Sequence, residues 1–192
     1  MADQAIGQLG LEPGRLGRHH LARIGNCHQC LHAGREQGEC HRPVTTVHAL
    51  LQFRHAAGKD AHAPGFYLHL EPGECFIGVG LWRPETKVAY AIRERIDAER
   101  AEWKRATRSE KFTTIFEMGG DSLVRPPKGY DEDHPLIDDL KRKDFIASRR
   151  LTQKQVTGDD FMDEFAEMCM AARPYMRFLC RAVGVPFDKG DA

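Results

Sequence analysis

The chain has 192 residues, room for one domain or one domain with an appendage. Lys plus Arg and Asp plus Glu are equal at 28 each, which excludes the global basic field of a general nucleic-acid binder. No apolar run approaches the ~20 residues that span a bilayer, and no charged n-region with an apolar h-region marks a signal peptide. The expectation is therefore a cytoplasmic protein with no membrane partner, whose six Cys are thiols or metal ligands rather than disulfides.

The chain changes character near Leu51. Residues 1–50 contain no Phe, Trp, Tyr or Lys, yet hold six of the ten His, half of the Cys and seven Gly. A Gly-rich stretch without large apolar residues cannot offset an ordering entropy of about 1–2 kcal/mol per residue, so a poorly ordered leader is expected. A frameshifted stretch of a GC-rich gene would produce the same bias, which would make the chain an inactive product. The competing reading is a zinc site at Cys27, Cys30, Cys40 and His41. The adjacent second pair fits no standard finger, so no cofactor is expected.

After the seam, Gly65–Leu70 alternates as a half-buried strand does. Pro72-Gly73 is a turn, because Pro presets φ and Gly accepts φ > 0. Cys75–Trp82 returns as the second strand, with Gly78 and Gly80 on one face. Pro84 opens a helix whose apolar face is Val88, Ile92 and Ile96, followed by Trp103, with Lys, Arg and Glu on a solvated side. A short strand is expected over Thr113–Glu117. Residues 125–130, Arg-Pro-Pro-Lys-Gly-Tyr, can only be a loop, since two prolines remove donors. Pro135 starts a helix with Leu136, Ile137 and Leu140 inward, and Phe145–Ser148 reads as a strand. The last helix begins at the capping box Thr157-x-x-Asp160 and carries Phe161, Phe165, Met168, Ala172, Tyr175 and Leu179 on one face. Pro174 should kink or divide it. The sum is an α+β domain over residues 51–187: a sheet containing an antiparallel hairpin, packed with three or four helices, between the 1–50 leader and a 188–192 tail.

Four stretches together resemble a known family. They are Phe53-Arg-His-Ala-Ala-Gly-Lys-Asp, Pro64-Gly-Phe-Tyr-Leu-His-Leu-Glu-Pro-Gly-Glu, Gly78-Val-Gly-Leu-Trp-Arg-Pro-Glu and Arg125-Pro-Pro-Lys-Gly-Tyr-Asp-Glu-Asp-His-Pro. Their order and spacing are similar to the conserved hypothetical proteins of domain-of-unknown-function family 2461. The resemblance runs from about residue 51 to 187 and implies no established reaction. It also implies an Arg-, Asp-, Lys- and Tyr-rich segment before Phe53, which residues 40–51 do not match.

Candidate chemistry falls in three places. His69 and Glu71 lie two apart on one strand, hence on one face, as a base with a carboxylate partner; the plainer reading is a surface polar pair. Lys59, between His55 and His62, sits in a polar loop. Arg125, Lys128, Tyr130 and His134 share a rigid loop, where Arg and Lys could hold an anionic group beside the dipole of the helix at Pro135. Alternatively Tyr130 plugs the core and His134 caps the helix. Two functions follow. The first is an enzyme or small-molecule binder with an anion-holding pocket between the hairpin and residues 125–134, using His69, Glu71 and His134 in catalysis. The second is a non-catalytic module that contacts nucleic acid or an acidic partner through Lys141-Arg142-Lys143.

Overall fold

The computed structural model describes residues 49–54 and 63–187. Residues 1–48 of the leader, Lys59 and the tail lie outside them, while Ala49 and Leu50 open the first strand. Strands β1 (Ala49–Arg54), β2 (Gly65–Glu71) and β3 (Glu74–Leu81) form an antiparallel meander. Glu71 and Glu74 pair across Pro72-Gly73, and Gly73 takes the expected positive φ of +87°.

Helix α1 (Thr86–Ala98) follows, with Ile92 and Ile96 fully buried. The chain breaks at Glu99 and resumes as α2 (Arg100–Arg108), which buries Trp103. The strand expected at Thr113–Glu117 is displaced. The N–H groups of Thr113, Thr114 and Phe116 donate to the carbonyls of Ser109, Glu110 and Phe112, each four residues back, so the chain is still turning helically here while Phe112 and Phe116 both reach the core. Residues Glu110–Thr113 therefore form the one-turn α3, and strand β4 is the short Glu117–Gly119.

After the Pro-rich loop come the one-turn α4 (Ile137–Leu140), strand β5 (Phe145–Leu151) and the one-turn α5 (Gln153–Val156). The capping box belongs to α5: Thr152 accepts from Gln155 N–H while the Gln155 side chain accepts from Thr152 N–H. The final helix α6 (Phe161–Val183) begins after Asp160, whose side chain makes no cap hydrogen bond. Pro174 does not divide it; the residue is exposed, so the hydrogen bond it forfeits is on the solvent side.

The five strands are ordered β1-β2-β3-β5-β4, with every pair antiparallel. Phe66, Leu68, Ile77, Val79, Phe145 and Ala147 project to one face and are buried in the same core as Ile92, Ile96 and the α6 residues Tyr175, Phe178 and Leu179. Trp103 packs against Tyr175 and Phe178 with ring centroids 5.8 and 5.1 Å apart. The structure is thus a sheet with helices on one side, the expected α+β class. Three of the helices are long and three are single turns among the described residues.

Gly80 explains how closely the central pair approaches. It has φ +116°, and a Cβ built on it would stand 2.0 Å from the carbonyl oxygen of Phe145. Gly80→Ala should destabilise the protein by on the order of 3 kcal/mol in urea unfolding. Tyr175 gives a prediction of opposite sign. Its buried hydroxyl has no hydrogen-bond partner among the described residues, and burial pushes its pKa far up. Tyr175→Phe should leave stability unchanged or raise it by about 1 kcal/mol in the same assay.

Candidate functional site

The register sorts the outer face of the sheet into rows. Tyr67 stands opposite Gly78, and Gly78 opposite Ser148; His69 stands opposite Phe76, and Phe76 opposite Arg150. Side chains of directly paired residues share a face, so Tyr67, His69, Phe76, Ser148 and Arg150 all project away from the helices. Each retains solvent exposure, in contrast to the buried residues between them.

On this face His69 and Glu71 meet as expected: Nε2 of His69 lies 3.2 Å from Oε2 of Glu71, with side chains 19% and 29% exposed. The His69 ring lies 5.0 Å from that of Phe76 and 6.3 Å from that of Tyr67, and Tyr67 and Phe76 are 5.5 Å apart. Their planes are within 28° of one another. A largely buried imidazole is thus oriented by a carboxylate and flanked by two aromatic rings, an arrangement that can bind a planar group and move a proton. Gly78 lies beside them. A Cβ there would meet Tyr67 at an ordinary 3.8 Å, so the backbone does not require glycine at this position.

The 125–134 loop is built differently. Pro127 is buried, its carbonyl accepts the Tyr130 N–H, and Gly129 turns the chain at φ +94°. Tyr130 packs against the core and lies edge-on to His134. Burial raises the Tyr130 pKa, with the charges of Asp97 and Glu94 adding to it. His134 Nδ1 accepts the Leu136 N–H at 3.1 Å, so Nε2 carries the proton and donates it to Asp97 of α1 at 3.0 Å. Both ring nitrogens are engaged, which gives His134 a fastening role and leaves it neither a free base nor a free donor. Arg125 and Lys128 are exposed.

Two sequence expectations change here. The helix after Pro135 is the single turn α4, and His134 already occupies the Leu136 N–H, so no helix dipole is available to an anion. The loop docks on α1, in the helix layer, whereas His69 and Glu71 face the other way. The two halves of the expected pocket therefore stand on opposite sides of the sheet.

The basic segment 141–143 is also not uniformly presented. Arg142 donates from Nη1 to the Gly119 carbonyl and brings Nε to 3.6 Å from Asp139, whose other oxygen accepts from Arg108 at 2.9 Å. Lys143 alone of the three is exposed.

Three positions that brace the loops around the sheet escaped the sequence reading. Arg93, assigned to the solvated side of α1, is only 4% exposed. It donates to the carbonyls of Leu140 and Arg142 at 2.7 and 2.8 Å. Asp97, one turn later, holds His134, so α1 fastens the 134–142 segment at two points. Asp144, 3% exposed, accepts the N–H groups of Arg83 and Asp121 at 2.7 and 2.9 Å. Their partners are main-chain groups or residues far along the chain, which leave no mark in local sequence.

Among the described residues no group of three or more His, Cys, Asp or Glu could hold a metal ion. The zinc alternative at Cys27, Cys30, Cys40 and His41 lies outside those residues. No described helix is long and apolar enough to cross a membrane.

The fold and site define an α+β protein with a one-sided antiparallel sheet and a Pro-Gly loop clasped to its first helix. The family model described as Conserved hypothetical protein (DUF2461) matches residues 44–178, and the chain belongs to that family. No curated protein and no solved structure matches it.

The clasp has a pH signature. The hydrogen bond from His134, then that from Arg100, holds the Asp97 carboxyl below the usual carboxylate range. A lowered folded pKa stabilises above the unfolded value of about 4 and is lost as pH falls through the folded one. Asp97→Asn should therefore lower the melting temperature at neutral pH and flatten its fall below about pH 4, as measured by thermal melts across that range.

Proposed function

We propose that the chain is an enzyme or small-molecule binder whose site is the outer face of the sheet. In this reading Tyr67 and Phe76 contact a planar ligand, and His69, oriented by Glu71, transfers a proton to or from it. The observation that supports it is the His69–Glu71 contact set among two nearly parallel aromatic rings on a face that the described helices leave uncovered. Gly78 supports it further: glycine in a strand interior costs about 0.5–1 kcal/mol, and here its side-chain-free surface adjoins Tyr67 where a larger residue would fit. Arg150, opposite Phe76, supplies a cation on the same face, which keeps an anionic ligand within the reading.

A fragment set of aromatic acids and amides, followed by aromatic-ring NMR, tests this. Binders should perturb the Tyr67, His69 and Phe76 ring signals and be lost in Tyr67→Ala and Gly78→Val. The double variant Arg125→Gln, Lys128→Gln should leave both binding and melting temperature unchanged. Binders that map to residues 125–134 and disappear in that double variant would move the site to the loop and end this reading.

A further inference from the structure

Among the described residues one non-glycine has a positive φ: Arg83, at +47°. Left-handed backbone favours glycine, because a Cβ crowds the following carbonyl. Arg83 is held there from outside. The buried Asp144 carboxylate accepts its N–H with one oxygen and the Asp121 N–H with the other. Gly120, at φ +90°, clears the way, since a Cβ there would fall 2.4 Å from that of Asp144. The residue before Arg83 is Trp82, 69% exposed at the end of β3, with the Arg83 guanidinium 4.9 Å from its ring centroid. Lys143, whose N–H is bound to the Asp121 carbonyl, is exposed beside the clamp. Neither Arg83 nor Lys143 takes part in a salt bridge of the described residues.

If this elbow served only to turn the chain, glycine would serve it better. The features present are instead a large apolar ring in water and a cation stacked on it, carried on a backbone that Asp144 holds in place. Trp and Arg are the side chains that contribute most at interface centres, and a pair on a held backbone loses less freedom on binding. From this we infer that the Trp82–Arg83 elbow is a docking point for an acidic segment of a partner protein. An apolar side chain of that segment covers the open side of Trp82, and its carboxylates meet Arg83 and Lys143. Charge complementarity selects this occupant: Arg83, stacked on the ring, and exposed Lys143, whose N–H is bound in the Asp121 turn of the clamp, form no salt bridge among the described residues, while the chain's zero net charge provides no extended field for a polyanion.

The two tryptophans make the test direct, because Trp103 is fully buried and Trp82 alone reports the surface. The full chain is titrated with a short synthetic peptide of alternating Asp and Leu, with a Lys and Leu peptide and oligothymidylate as comparisons. The acidic peptide should shift Trp82 emission to the blue, saturably and less at high salt. Arg83→Gly should weaken it about tenfold or more while keeping or raising the melting temperature, and Lys143→Gln should weaken it less. An equal response to the basic peptide, tighter binding of oligothymidylate, or no response would overturn the inference. So would Arg83→Gly lowering the melting temperature while leaving peptide affinity intact.

Discussion

A sheet strand has two faces, and among the described residues helices cover only one of them. Everything else is arranged around that asymmetry. Each large apolar residue fully buried beneath α1 and α6 contributes roughly 1.5–3 kcal/mol, and a slip of one residue in register would turn the whole set outward. The same period of two that drives Phe66, Leu68, Ile77 and Val79 inward places Tyr67, His69 and Phe76 on the other side. The composition of the candidate site is thus tied to the composition of the core. Neither can drift without the other.

The buried polar residues serve the main chain. Arg93 takes two carbonyls and Asp144 takes two amides, each bridging segments that secondary structure alone would leave apart. Burying a charge is expensive unless hydrogen bonds satisfy it, and here they do. Asp139 shows the same logic with side chains, shared between Arg108 and Arg142. Loops that lack regular hydrogen bonding acquire a fixed shape in this way, and the His134–Asp97 contact completes the set.

The hairpin could be read from the chain because its signal is local: alternation on both sides of Pro72-Gly73. The α6 face could be read for the same reason, from Phe161, Phe165, Met168, Ala172 and Tyr175 at helical spacing. Errors arose where two local signals compete. Thr157-x-x-Asp160 imitates a capping box, while the working one is Thr152 with Gln155 five residues earlier. Phe112 and Phe116 belong to a helical turn although the residues after them favour a strand. The pairing of His69 with Glu71 needed only the strand period, whereas the separation of that pair from the 125–134 loop depends on which sheet face each occupies. No run of neighbouring residues encodes that.

The position of β5 between β3 and β4 has a consequence for the order in which the molecule can assemble. The β2–β3 hairpin closes across two residues and can form as soon as it is synthesised. The partner that completes the inner edge of β3 arrives only after residues 82–144 have been made. Until then β3 carries an unpaired row of main-chain groups above an apolar face, and closing so long a connection slows the step that covers it. A nascent chain stopped short of residue 145 would hold a sticky half-sheet, so the vulnerable interval in this protein's life is the time spent translating its middle third.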